Sequence, residues 1–155
     1  MTKQEFIKKY TAPVLEATGG TALFPSLMLA QAALESGWGK SRLSSLYNNL
    51  FGIKADPSWK GEKVHLSTQE YLNGKWQTLQ EPFRVYADPT ESIRDRIRFL
   101  RKNPRYAQVF LAMTPEAQAR ALQAAGYATD PQYAEKLIAT MHANNLAEID
   151  KKKDQ

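Results

Sequence analysis

The sequence predicts an α+β fold that is mainly α: a helical body interrupted once by a small β-hairpin lobe. Three observations predict it. From Phe24 to Leu34 nearly every residue is apolar, which marks a helix buried on almost every side. Asn73-Gly74 lies between two segments of strand character and is the strongest short hairpin-turn signal. Helix starts recur through the last third at Asp88-Pro89, Thr114-Pro115 and Asp130-Pro131, each pairing a capping side chain with a proline suited to the first turn.

In chain order, residues 3 to 17 read as a first helix with Phe6, Ile7, Tyr10, Val14 and Leu15 on its apolar side. Pro13 is expected to kink or divide it, and Gly19-Gly20 to end it. The second helix opens near Pro25 and ends at Glu35, where Gly37 and Gly39 stop it. Ser41 to Tyr47 reads as a short third helix, followed by a tight apolar turn over Asn48 to Lys54. Residues 63 to 72 place Val64, Leu66, Thr68, Glu70 and Leu72 on one face of a strand. The return strand runs from Lys75 to about Tyr86, so the hairpin lobe spans about residues 60 to 86.

The next helix carries Ile93, Ile97 and Leu100 at a helical spacing and ends at Asn103-Pro104. Tyr106 to Met113 reads as a short helix, Thr114 to Gly126 as another, and Asp130 to about Asn145 as the last, with Leu137, Ile138 and Met141 inward. One domain covers residues 1 to 146, and residues 147 to 155 are expected to form a basic, flexible tail.

Composition narrows the chemistry. The 155 residues suffice for one domain with a sizeable core, and 43% hydrophobic with 24% charged content is that of an ordinary globular chain. There is no cysteine, so disulfide and thiolate chemistry are excluded. His65 and His142 stand in unrelated contexts with no paired metal-ligand spacing, so neither a metal site nor another cofactor is expected. The N-terminus lacks the apolar stretch of a signal peptide, and no apolar run approaches the ~20 residues of a membrane span. The net charge of +5 favours polyanionic surroundings: nucleic acid, acidic lipid or an acidic cell wall. No nucleic-acid-binding motif accompanies that charge, so nucleic acid is not the expected partner. The run Arg94 to Arg105 is basic and reads best as the solvated face of an amphipathic helix, with weak, salt-screened steering as its contribution to binding.

Glu35 is the residue that points to a reaction. It closes a buried helix, so its carboxyl is partly desolvated and lies at the negative end of the helix dipole. Both effects disfavour the charged form and raise the pKa. A carboxylic acid that stays protonated towards neutral pH is what general-acid cleavage of a glycoside needs. Such cleavage usually engages a second carboxylate, and the hairpin offers Glu62, Glu70 and Glu81. Trp38, Trp59, Tyr71, Trp76, Tyr106, Tyr127 and Tyr133 supply flat faces of the kind that cover pyranose rings. Asn48 and Asn49 could bind acetamido groups or could serve the local turn.

Five segments stand in the order of a known family: Ala30 to Gly39 (AQAALESGWG), Asn49 to Lys54 (NLFGIK), Phe83 to Tyr86 (FRVY), Asn103 to Tyr106 (NPRY) and Ala125 to Pro131 (AGYATDP). Together they resemble the glucosaminidase domain of glycoside hydrolase family 73, of the kind that hydrolyses peptidoglycan in flagellar rod proteins. The likeness covers about residues 3 to 145. It implies a lysozyme-like helical domain with a small β-lobe, and cleavage of the β-1,4 bond between N-acetylglucosamine and N-acetylmuramic acid of peptidoglycan glycan strands.

The resemblance maps the catalytic acid onto Glu35, the second acid onto Glu70 and a cleft-lining residue onto Tyr127. Trp38, Asn49, Phe51, Tyr71 and Tyr106 are the candidates for substrate binding. A monomer acting in the periplasm or cell wall is expected. Flagellar proteins of this kind carry a rod-assembly domain ahead of the hydrolase, whereas this sequence opens at the hydrolase. A single-domain enzyme, such as a phage endolysin or a bacterial autolysin, and an excised domain both fit. A lytic transglycosylase or muramidase of the same fold, and a non-catalytic glycan-binding module, are the rival readings.

Overall fold

A computed structural model describes all residues, 1–155. Its elements run α1 (Lys3–Thr18), α2 (Pro25–Ser36), α3 (Arg42–Tyr47), β1 (Lys63–Leu72), β2 (Lys75–Arg84), α4 (Pro89–Lys102), a 3-10 turn (Pro104–Tyr106), α5 (Ala107–Leu111), α6 (Pro115–Ala124), α7 (Tyr133–Ala143) and α8 (Ala147–Asp150). The expected helical body with one inserted hairpin is what forms.

The body is organised around α2. Leu27, Met28, Leu29, Ala30, Ala32 and Ala33 are completely buried, because α1, α6, α7 and α8 all pack around this one helix. Its apolar sequence therefore reflects burial on every side. The helix ends abruptly. Gly37, Trp38 and Gly39 all take left-handed backbone angles, with φ of 59°, 57° and 80°. The Ser36 hydroxyl accepts from the Gly39 amide, and the Trp38 amide donates to the Ala33 carbonyl. Trp38 is costly in this conformation, as any residue with a Cβ is. Its ring is held edge-on against Phe6 and under the Lys3 ammonium. The sharp turn leaves Glu35 standing on the last turn of α2.

Of the three predicted helix starts, those at Asp88 and Thr114 are capped as expected and the one at Asp130 is not. Thr2 and Glu5 form a reciprocal capping box at the start of α1. Ser41, Asp88 and Thr114 cap α3, α4 and α6 through their side-chain oxygens. Pro13 does not divide α1, which is continuous through it. The carbonyl that loses its partner belongs to Lys9, an exposed residue. The last long helix starts at Tyr133 rather than at Asp130-Pro131, because Asp130 first closes a turn, accepting the Gln132 amide on its carboxylate and the Tyr133 amide on its carbonyl.

The hairpin pairs β1 with β2 in one antiparallel register from Lys63–Arg84 to Leu72–Lys75. Asn73 and Gly74, with φ of 52° and 80°, make the two-residue turn. Val64, Leu66, Thr68 and Glu70 share the half-buried face of β1. The base of the lobe is clamped to α4 by Asp95, whose carboxylate accepts from Arg84 at 2.7 Å, from the Tyr86 hydroxyl and from Arg98 at 3.3 Å. Burial alone would raise the Asp95 pKa. The hydrogen bonds from Tyr86 and Arg84, and the charges of Arg84 and Arg98, outweigh it and hold the group below its usual range.

The chain end corrects one expectation. Residues 147 to 155 form a helical turn and further turns that return to the N-terminus of α2, instead of a free tail. Ile149 is buried, Asp150 accepts from the Ser26 amide and hydroxyl at 2.7 and 2.6 Å, and Asp154 accepts from the Gly20 amide at 2.9 Å. The reason lies in the orphan amides at the start of α2. Phe24, its capping residue, has no side-chain acceptor to offer them.

Candidate active site

Glu35 opens onto a cleft of about 380 Å³ lined also by Phe51, Arg96, Phe99, Tyr106, Tyr127, Ala128 and Thr129. Four segments build it. Glu35 comes from the end of α2, and Phe51 from the apolar turn after α3. Arg96 and Phe99 come from α4, and the rest from the 3-10 turn and the loop between α6 and α7. Gly126, at φ of 81°, lets that loop leave α6 and present Tyr127.

The carboxyl of Glu35 has two environments. One side faces the open cleft, and the side chain is exposed by area. The other is backed by protein: the Tyr133 hydroxyl donates to Oε1 at 3.2 Å, and Arg96 and Tyr127 lie close enough to feel its charge. Desolvation on the protein side is the largest influence and raises the Glu35 pKa. The Tyr133 hydrogen bond and the positive charge of Arg96 pull it back without cancelling the rise. A carboxyl above its ordinary 4.5 and open to a cleft is placed to give up a proton to a bound ligand.

Behind Glu35 runs a short polar relay. Gln31, one turn earlier on α2 and completely buried, donates from Nε2 to the Tyr133 hydroxyl at 3.0 Å, and Tyr133 donates to Glu35. Burial pushes the Tyr133 and Tyr127 phenols well above their ordinary pKa, with the Glu35 charge adding to both. Both phenols therefore stay protonated, and Tyr133 acts as a donor. The rings of Tyr127 and Tyr133 stack at 5.5 Å, and Tyr106 meets Tyr127 edge-on at 6.0 Å. Arg96 lies over the rings of Phe51, Phe99 and Tyr127 at 5.2, 4.9 and 5.3 Å.

Glu35, Phe51, Tyr106 and Tyr127, named from the sequence, thus meet in one cleft. The other candidates stand elsewhere. Glu70 is on the half-buried face of β1, where it accepts from Lys54 Nζ at 3.2 Å and from the Thr68 hydroxyl at 3.3 Å, and it does not line this cleft. Tyr71 is 60% exposed and pairs edge-on with Trp76 beside the hairpin turn. Trp38 packs on the core next to α1. Asn49 is 1% exposed, and its amide is fully spent: Nδ2 donates to the Ile53 and Arg84 carbonyls, and Oδ1 accepts from the Ile53 amide. It fixes the turn that carries Phe51 and has no group left for a sugar.

Arg96 corrects the reading of Arg94 to Arg105 as a solvated face. It is only 9% exposed and turns into the cleft, whereas Arg94, Arg98 and Arg101 lie outward. A sequence signal for it existed: Arg96 falls three residues after Ile93 and four before Leu100, on the apolar stripe of α4. In the sequence Tyr133 is one of several aromatic candidates, and nothing there ties it to Glu35, 98 residues away.

Two larger concavities do not share this chemistry. One of about 570 Å³ between α3 and the hairpin holds no carboxylate. One of about 410 Å³ adjoins the Glu35 cleft through Arg96 and Phe99, and its only carboxylate, Asp95, has a lowered pKa. Chemistry rather than size selects the Glu35 cleft. No group of three or more His, Cys, Asp or Glu is gathered as a metal would need.

A helical body with one hairpin lobe is the lysozyme-like architecture found in glycoside hydrolases, and here its aromatic cleft holds a protonatable acid. The chain belongs to the glucosaminidase family, whose sequence model, described as mannosyl-glycoprotein endo-beta-N-acetylglucosaminidase, matches residues 12–146. It is 44% identical over 140 residues to the peptidoglycan hydrolase FlgJ of Salmonella typhimurium, covering 88% of this chain and 44% of that protein. It is 40% identical over 154 residues to a probable N-acetylmuramidase of Lactococcus lactis, covering 95% and 35%. The chain spans less than half the length of these curated relatives.

Among solved structures, the catalytic domain of the autolysin Auto from Listeria monocytogenes superposes with a TM-score of 0.85 at 35% identity, covering 95% of this chain and 86% of that one. A truncated glycoside hydrolase domain of Salmonella typhimurium FlgJ gives 0.80 at 40%, covering 93% and 98%. The family read from the five sequence motifs is therefore the right one.

Proposed function

We propose that this protein hydrolyses peptidoglycan glycan strands, cutting the β-1,4 bond between N-acetylglucosamine and N-acetylmuramic acid, with Glu35 as general acid. The observation that carries this reading is the raised pKa of Glu35 inside an open cleft walled by Phe51, Tyr106 and Tyr127. The names of the relatives, peptidoglycan hydrolase and autolysin, supply the substrate class.

Glu35, protonated, gives its proton to the glycosidic oxygen as the bond from that oxygen to the anomeric carbon breaks. A water adds to the anomeric carbon. Its proton passes to the Glu70 carboxylate, which releases it to solvent, and solvent returns a proton to Glu35. Glu70 fits the part of base because it stands on the hairpin lobe as an acceptor, turned to the half-buried face and beside the Lys54 ammonium. Reaching the cleft requires the hairpin lobe to close towards α2 once a strand is bound. The aromatic walls cover the apolar faces of the sugar rings. Tyr127 packs over the bound sugar beside Glu35 and keeps water from its protein side.

Action as a monomer, at the periplasmic or outer-wall peptidoglycan, completes the proposal. No helix is long and apolar enough to cross a membrane. A second reading, muramidase cleavage of the neighbouring bond, is favoured by the name of the Lactococcus relatives. Mass spectrometry of soluble wall fragments separates the two. Reducing N-acetylglucosamine ends are expected; reducing N-acetylmuramic acid ends would move the cleaved bond, and anhydromuramic ends would mean transglycosylation. Glu35→Gln is expected to abolish fragment release while circular dichroism stays native. Near-normal release would remove Glu35 from the acid role.

A further inference from the structure

A second concavity lies next to the Glu35 cleft. It measures about 410 Å³, within the range of small-ligand sites, and shares Arg96 and Phe99 with the cleft. Four cations reach it, Arg84, Arg96, Arg98 and Lys102. The acids beside them are Asp95, held by Arg84 and Arg98, and Asp56, held by Arg84. Four positive against two negative charges leaves an excess of two.

That excess falls on particular groups. Lys102 and Arg96 have no ion-pair partner, and Arg98 is half exposed with a single 3.3 Å contact to Asp95. Arg96 is 9% exposed, and its Nε is buried without a hydrogen-bond partner. A buried guanidinium nitrogen left unpaired is costly unless a ligand completes it. Its position, lining both spaces, makes it the bridge between them.

We propose that this basic notch is a subsite for the carboxylates of the peptide stem carried on the lactyl group of N-acetylmuramic acid, making the chain selective for peptide-bearing over bare glycan. The inference rests on the reading of the Glu35 cleft as a peptidoglycan site. In such a strand the stem is the anionic group next to the bond to be cut, and the notch adjoins the acid that would cut it. Arg98 and Lys102 meet the stem carboxylates at the open rim, and the unpaired charge of Arg96 attracts them at the inner end. Charge-assisted contacts of this kind add orientation as well as affinity.

The test compares uncrosslinked strands carrying intact stems with the same strands stripped by an N-acetylmuramoyl-L-alanine amidase. The intact strands are expected to be cut with a kcat/KM about tenfold higher, the factor one charge-assisted contact supplies. The double variant Arg98→Ala/Lys102→Ala is expected to lose most of that ratio through KM on intact strands. Equal rates on both strands in the parent protein, or a ratio that survives in the double variant, would overturn the subsite. Cleavage of neither strand would instead bring down the assignment of the cleft. The subsite then stands or falls on direct binding of muramyl tripeptide followed by NMR, with shifts at Arg98 and Lys102 expected and their absence decisive against it.

Discussion

Tyr133→Phe isolates the group that tunes the proposed acid. The Tyr133 hydroxyl donates to Glu35 Oε1 and accepts from Gln31 Nε2. Removing it takes a donor from the charged form of Glu35, so the carboxyl moves further above its ordinary value. A hydrogen bond to a charged group is worth ~1.5–3 kcal/mol when desolvated. Glu35 has one side in water, so about 1 kcal/mol is the fitting figure, equal to ~0.7 of a pKa unit.

The sign is fixed by the role. A general acid works protonated, so kcat/KM falls as pH rises through the Glu35 pKa. That limb is expected to shift upward by about half to one pH unit in Tyr133→Phe, measured on a soluble labelled glycan. The variant also strands Gln31, which is completely buried and whose Oε1 already has no partner. Stability is expected to fall by about 1–3 kcal/mol, a drop in Tm of roughly 2–12 °C for a chain of this size. A limb that stays in place or moves to lower pH, in a variant with the expected loss of Tm, would refute the hydrogen bond as a tuning device.

Two further outcomes are expected. Glu70→Gln should reduce turnover about 100-fold, the scale for removing an acid–base group; near-normal turnover in steady-state assays would shift the water-activating role to the substrate's own 2-acetamido group. Asp150→Ala removes the acceptor for the Ser26 amide and hydroxyl. It should cost about 1–2 kcal/mol, or roughly 2–8 °C in Tm by calorimetry. Burial holds Asp150 above its ordinary 3.8, so its contribution is fullest below that value and is lost as pH rises through the raised pKa. The Tm gap between parent and variant should therefore be wider at low pH than at neutral pH, and a gap that widens towards neutral pH would contradict the burial argument.

The legible part of this protein is local. Helix caps at Asp88 and Thr114 and the turn at Asn73-Gly74 were readable because each depends on a few neighbouring side chains and a backbone angle. Tyr127 and Phe51 sit in recognisable motifs and did reach the Glu35 cleft. Asn49 and Trp38 sit in motifs just as recognisable. Their motifs serve the turn that follows α3 and the end of α2, so the side chains are spent on backbone carbonyls and on Phe6. A motif marks a constraint without saying whether the fold or the ligand imposes it.

By itself, the sequence determined the helical body, the hairpin and its turn, and the place of one acid at the end of a buried helix. Those follow from periodicity, capping and turn chemistry, which act over a few residues. Tertiary structure alone decided what surrounds that acid. It brought Tyr133 to Glu35 across 98 residues, turned Arg96 inward while Arg98 and Arg101 on the same helix face water, and folded Asp150 back onto the first turn of α2. These are matters of desolvation and charge between distant segments, and only the packing of the helices brings such segments within range of each other.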